Sequence, residues 1–345
     1  MPQLSAGLAL CRDFYREHVL PVLADGFPGL AHSAAVMGRG SEVLGFDDTM
    51  SADHDWRPRV SVFLAADGPA PRAEAVEAAL RAGVPQEFRG HPTGVEVDTV
   101  RGYFLDRLGL DVEGELTARD WLATSEQQLR MYTAGAVFHD ELGLQHVRDR
   151  LARYPHDVWL YLMSAAWWRV HPELNLVGRV GWVGDELGSA LIGSRLVTDL
   201  MRLCFLMEQQ HAPYAKWFGS AFGRLQCAAE LSPVFWRVVR AERWPDREDA
   251  LNLAYARLAE RHDALRVTPP VPTAPVRMWD RPFTVTWGDF PGALQAQIRD
   301  PEVRRVAELW PAGGVDQLRE ILWHQRFREP LRRVLDWAEP TSMTP

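Results

Sequence analysis

The amino-acid sequence predicts an α+β fold, a small mixed sheet with helices followed by a larger all-helical domain. Three observations predict it. A Val- and Phe-rich alternation between residues 53 and 64 is echoed by GVEVDTV at 94–100, both of β character. From about residue 101 to 266 the apolar periodicity is almost continuously helical. The segment VTPPVPTAPVR at 267–277, with four prolines, then interrupts it as an extended connector. A chain of 345 residues, 47% hydrophobic and 24% charged, is long enough for two modest domains and is neither fibrous nor disordered in composition. The expected division is 1–112 for the sheet-bearing domain and 113–345 for the helical one.

In chain order, residues 4–25 place Leu8, Phe14, Leu20 and Leu23 among charges at helical spacing, and Gly26-Phe27-Pro28-Gly29 ends that helix. The apolar run Ala34–Met37 reads as a strand, GRGSEVLGFDD as a glycine-bearing loop, and Asp53–Leu64 as a second strand closed by DGPAP. PRAEAVEAALRA at 71–82 has helix-forming composition, and 94–100 is the third strand. Trp121, Trp159, Trp167, Trp168, Trp182, Trp217, Trp236 and Trp244 punctuate the helical stretch, where core packing accounts for most of them. Beyond the connector, RPFTVTW is expected to form a short strand and 291–338 to return to helix.

Charge and cysteine usage exclude several function classes. The formal charge is −8, which argues against a broad cationic surface for nucleic acid, so any polyanionic ligand must be met locally. Cys11, Cys204 and Cys227 are far apart, without CxxC spacing, as in a reducing compartment. Charges come too early in MPQLSAGLALCRDFYREH for a signal peptide, and the uncharged run Val158–Trp168 is too short to span a bilayer. The expectation is a soluble cytoplasmic protein. Among 38 Lys+Arg there is one lysine, Lys216.

The chemistry is concentrated between residues 40 and 55. Gly40-Ser41 offers backbone N–H groups and a hydroxyl where glycine permits close approach, and a helix beginning there would favour phosphate. Twelve positions after Ser41 stands Asp53-His54-Asp55. In a strand the two aspartates project to one face, where their mutual repulsion is relieved by a hard cation such as Mg²⁺. A Gly-Ser pair followed at this distance by Asp-x-Asp resembles the signature of the DNA-polymerase-β-type nucleotidyltransferase superfamily. GFDDTMSADHDW, GDELGS and APYAKWFG further resemble an uncharacterised bacterial family that joins such a domain to a helical C-terminal one.

The resemblance implies transfer of a nucleoside monophosphate from an NTP, ATP favoured, to an acceptor, with release of pyrophosphate. It implies Asp53 and Asp55 as Mg²⁺ ligands and Gly40 and Ser41 as the cradle for the β and γ phosphates. It also implies a third carboxylate from a later strand, and GVEVDTV supplies Glu96 and Asp98 on one face. Glu96, flanked by Val95 and Val97, is chosen to complete the metal site or accept a proton; solvent-facing residues of an edge strand are an equal alternative. His54, where many members carry an aliphatic residue, is given a packing role.

In the helical domain, Asp185 and Glu186 open a long helix. One is expected to cap it, and Glu186 is the candidate for a contributed base. Arg195, Asp199 and Arg202 fall on one helical face, either as a surface ion-pair ladder or with Arg195 and Asp199 meeting the nucleotide. Lys216, beside Trp217 after the break at Ala212-Pro213-Tyr214, suits a triphosphate. The acceptor is expected to be a small hydroxyl- or amine-bearing molecule; the acidic charge disfavours nucleic acid as a partner, and no membrane partner is expected. Nucleotidylation of a protein or tRNA end, or a silent nucleotide-binding protein that keeps the fold, are the alternatives.

Overall fold

Among the described residues, strand alternation and helical periodicity fold into elements they predict, with short strands at 87–88, 91–92 and 274–277 besides and two additions that shape the first unit. Residues 53–55 of the predicted second strand and most of 319–338 of the predicted last helical stretch lie outside the described residues. The computed structural model describes residues 6–48, 50, 56–66, 70–278, 280–311, 313–318 and 332. The strands in chain order are β1 (His32–Val36), β2 (Arg59–Leu64), β3 (Glu87–Phe88), β4 (His91–Pro92), β5 (Gly94–Thr99), β6 (Ala136–Asp140), β7 (Ala274–Arg277) and β8 (Thr284–Trp287). The first helices are α1 (Ala6–Phe14), α2 (Leu20–Gly26), α3 (Ala70–Gly83), α4 (Val100–Leu108), α5 (Ala118–Leu122), α6 (Glu126–Thr133) and α7 (Leu144–Leu151). They are followed by α8 (His156–Val170), α9 (Leu176–Trp182), α10 (Glu186–Met207), α11 (Ala215–Phe222), α12 (Ala228–Arg240), α13 (Trp244–Leu265), α14 (Phe290–Gln295) and α15 (Pro301–Leu309). The fold is α+β, a small mixed sheet plus a larger helical region. The chain divides into two compact units, Met1–Asp120 with Glu126–Arg153, and Trp121–Ser125 with Tyr154–Pro345.

The first unit is built on a four-stranded sheet of order β5-β2-β1-β6. β1 is antiparallel to both neighbours, whereas β5 runs parallel to β2 with Ser61 opposite Glu96. One face carries Ala34, Val60, Val62 and Leu64 against Phe14, Val19, Leu23, Val76 and Leu80, a core built by the helices at 6–26 and 70–83. Each such valine, leucine or phenylalanine removed from water is worth roughly 1.5–3 kcal/mol. Alternation sends Ser61 and Phe63 to the other face, where the Phe63 ring meets Tyr103 of α4 edge-on at 5.1 Å and Tyr103 meets Tyr132 of α6 at 5.9 Å. β6 is the first addition, a strand inside a stretch read from sequence as helix. The second is a π-helical turn, Tyr15–Val19, between α1 and α2.

In the second unit α10 packs on α8, α9, α12 and α13, and α14 on α8. Asp185 caps α10 by accepting from the Gly188 N–H at 2.7 Å. The expected short strand is β8, paired with β7 at the end of the proline-rich connector. Among the described residues no helix is long and apolar enough to cross a membrane, and all three cysteines are buried and free.

Candidate functional site

Register brings three parts of the sequence to one end of the sheet. β1 ends at Val36 and leads to Gly40-Ser41, while β2 begins at Arg59 antiparallel to it and β5 begins at Gly94 opposite Arg59. Gly40 has φ +124°, and a Cβ there would overlap the Glu42 carboxylate, so the position requires glycine for both reasons. The expected helix after Gly40-Ser41 is instead a tight turn, closed by Gly45 N–H to Glu42 O at 3.1 Å and Phe46 N–H to Ser41 O at 2.8 Å. With no helix there, no macrodipole assists phosphate; positive charge must come from side chains.

Arg59 supplies such a charge. Its Nη1 lies 2.5 Å from Glu42 Oε1, and its Nη2 donates to the Arg39 carbonyl. The Glu42 side chain is sealed in the core, and burial raises its pKa against the opposing pull of Arg59. Neither residue was singled out from sequence; a lone acid and a lone base 17 positions apart leave no periodic signal.

Asp53 and Asp55 lie outside the described residues, as does His54. β2 starts at Arg59, so Trp56–Pro58, also read as strand, are not part of it. Glu96 is exposed on β5, its Oε1 accepting from Ser61 Oγ at 2.5 Å and its Oε2 from Arg107 Nη2 at 2.6 Å. Asp98, two residues on, accepts from the Thr99 N–H at 2.8 Å and stands 3.6 Å from Arg107. Burial raises the pKa of Asp98, with the Thr99 N–H and Arg107 opposing. Arg107 also lies over the Tyr103 ring at 4.0 Å, so α4 delivers a cation to the two β5 carboxylates.

The helical unit gives its predicted residues local partners. Glu186 Oε1 accepts from the Trp244 N–H at 3.1 Å, and Oε2 meets Arg247 Nη1 at 3.2 Å. Arg195 pairs with Glu173, and Asp199 with Arg169 at 3.5 Å. Arg202 lies over the Phe218 ring at 5.4 Å. Lys216 is exposed in the first turn of α11, its Nζ 4.8 Å from the Trp217 ring centroid.

Residues 121–218 match a family described as "Domain of unknown function (DUF4037)". That span contains Glu186, Arg195, Asp199 and Lys216. A solved structure of a nucleotidyltransferase-like protein from Exiguobacterium sibiricum 255-15 is 10% identical, with a TM-score of 0.33 over 81% of this chain and 98% of that one. No curated protein sequence matches the chain significantly.

Proposed function

We propose that the protein is a nucleotidyltransferase that moves a nucleoside monophosphate from an NTP, with ATP as first choice, to a small hydroxyl- or amine-bearing acceptor. The observation that carries this reading is the convergence at one end of the sheet: the positive-φ Gly40-Ser41 turn, the start of β2 that the Asp53-x-Asp55 pair precedes in sequence, and Glu96 in register with Ser61. In the reaction, the acceptor oxygen or nitrogen bonds to the α-phosphorus. The bond to the bridging oxygen breaks, pyrophosphate leaves with the electron pair, and the acceptor proton passes to a base.

The donor set fits Mg²⁺. Asp53, Asp55 and Glu96 are hard oxygen donors, and each Glu96 oxygen takes one hydrogen bond and keeps a lone pair for a further partner. The ion would neutralise charge on the triphosphate. Gly40 and Ser41 would approach the β and γ phosphates, with Arg59 adding the charge that a helix terminus does not provide there. Glu96 would hold the ion or take the proton, its carboxylate oriented by Ser61 and Arg107. Glu186, Arg195, Asp199 and Lys216 are the helical unit's candidates for the nucleotide.

The test is incubation with Mg²⁺, α-labelled NTPs and a panel of amines, aminoglycosides, nucleosides and tRNA. Label on a small acceptor supports the reading; label on tRNA or protein moves it to another acceptor class. Tight NTP binding without label transfer or pyrophosphate would point to a silent binding protein. Asp53→Asn and Asp55→Asn should each cut turnover by on the order of 10²–10³-fold, the loss expected when one group stabilising transferred charge is removed, with unchanged melting temperature. Wild-type turnover in either would remove the metal assignment.

A further inference from the structure

At the opposite end of β1, two backbone irregularities converge on four side chains. The β1–β6 register slips between Ala34 and Ala35, so that Ala34 faces His139 while Ala35 faces Val137. This bulge lets the consecutive residues Phe138 and His139 both reach the face that holds His32. Phe138 stacks on Tyr15 at 6.0 Å, and His139 stacks on His32 at 4.3 Å. The π turn begins at Tyr15 and sets its hydroxyl 2.9 Å from His32 Nε2. Single π turns and bulges interrupt regular hydrogen bonding and recur at functional sites. Glu141, just past β6, completes the group: its Oε2 lies 3.1 Å from His139 Nε2 and 4.0 Å from His32 Nδ1, and accepts the His32 backbone N–H at 3.1 Å.

We infer that His32, His139 and Glu141 form a binding site for a divalent transition ion of the Zn²⁺ class, with Tyr15 as its positioning residue. One ligand atom from each of the three lies within 4.8 Å of the others. Bonds of about 2.0–2.1 Å to a tetrahedral ion put neighbouring ligand atoms about 3.3 Å apart; the 3.1 Å between His139 and Glu141 already matches, and the wider separations, within 4.8 Å, close by up to about 1.5 Å as the side chains turn toward the ion. Two imidazoles and one carboxylate suit zinc and leave a fourth position open; Mg²⁺, which prefers oxygen ligands, does not compete.

Tyr15 defines the tautomer. His32 Nδ1 lies 3.2 Å from the Leu30 carbonyl, so without an ion the Nδ1–H donates there and the Tyr15 hydroxyl donates to Nε2. Ligation through Nδ1 moves the proton to Nε2, where the Tyr15 oxygen accepts it. This is the oxygen partner on the distal ring nitrogen that fixes a ligating imidazole.

The experiment titrates Zn²⁺ into the full chain against a chromophoric chelator in saturating Mg²⁺. Wild type should bind one ion per chain. His139→Ala and Glu141→Gln should each weaken binding by more than about 10-fold, and Tyr15→Phe by about 10–100-fold, with unchanged circular dichroism. His146→Ala, at an exposed position on α7, should bind as wild type. Nitrogen-15 NMR of His32 should show the tautomer change on ion addition, and X-ray absorption should show nitrogen and oxygen ligands only. Absence of wild-type binding, wild-type affinity in both His139→Ala and Glu141→Gln, or sulfur ligation overturns the inference. None of these readouts depends on nucleotidyl transfer.

Discussion

Each unit holds an arginine–glutamate pair with one member sealed in the core, and the two pairs are inverted. In the sheet unit the acid is inside: the Glu42 side chain is 1% exposed and its partner Arg59 is 19% exposed. In the helical unit the base is inside, with Arg247 2% exposed against 40% for Glu186. Arg247 also donates to Ser189 Oγ at 2.7 Å and to the Ala241 carbonyl at 2.6 Å, joining α13 to α10. Its outward partner is tied in turn by the Trp244 N–H. Arg59 instead donates to the Arg39 carbonyl, next to the Gly40-Ser41 turn. The buried member in each case serves packing, and the outward member shows what the pair is for: a latch between helices in one unit, a positive charge held at a glycine turn in the other.

The largest effect should come from removing the outward member of the sheet unit's pair, against which its counterpart in the helical unit is the comparison. Arg59→Ala takes the guanidinium from a carboxylate held in the core and should cost about 3–5 kcal/mol. Glu186→Gln should cost only about 1–2 kcal/mol, because Arg247 keeps two acceptors and the amide oxygen still accepts. Denaturant titration compares them, and equal losses would break the contrast. Turnover of Glu186→Gln sharpens it further. Near-wild-type turnover leaves Glu186 as a latch, whereas a fall of several orders of magnitude would restore it as the base considered from sequence.

Gly40→Ala should follow in size, at about 1–3 kcal/mol for a side chain at φ +124° pressed on Glu42, with a raised apparent KM for NTP. A raised KM without loss of stability would mean that the turn relaxes and that Glu42 does not hold it.

What the sequence made legible is local. Ala34–Met37 as strand, an acidic cap at Asp185 or Glu186, α10 as one long helix and β8 after the connector all follow from composition within a few residues. β6 escaped because AVFHD is a five-residue strand among helical neighbours, too short for its period to be told from helix. A Gly-Ser pair serves a helix start and a tight turn alike, so composition does not separate the two after Ser41. Glu42–Arg59, Arg107 with Glu96, and His32 with His139 and Glu141 are set by tertiary packing across 11 to 109 positions, which no local periodicity reports.

The pH dependence of stability tests the burial of Glu42 more finely. Its pKa is raised above 4.5 in the folded protein, chiefly by burial, so between 4.5 and the folded value the native state binds more protons than the unfolded chain. Stability therefore falls as pH rises through that window and levels above it. Asp98, Glu173 and Glu248 are raised by burial as well, so Glu42→Gln should shrink this descending segment and not abolish it, and a variant with an undiminished segment would place the titration on those groups.

The smallest structural effect, and the most selective functional one, is expected at Lys216. Thirty-seven arginines and a single lysine fit codon bias as well as function, so position must decide. Lys216 is exposed in the first turn of α11 with its ammonium over Trp217, and a surface residue of this kind holds stability to within about 0.5 kcal/mol on truncation. If its charge meets the triphosphate, Lys216→Ala should raise the apparent KM for NTP by about 10-fold, the worth of one hydrogen bond to a charged group, with kcat and melting temperature unchanged. Lys216→Arg separates charge from shape: recovery shows that any cation serves there, and persistent loss shows that a compact ammonium is required. An unchanged KM in Lys216→Ala would return the lone lysine to codon usage and leave Arg59 as the positive charge proposed for the phosphates.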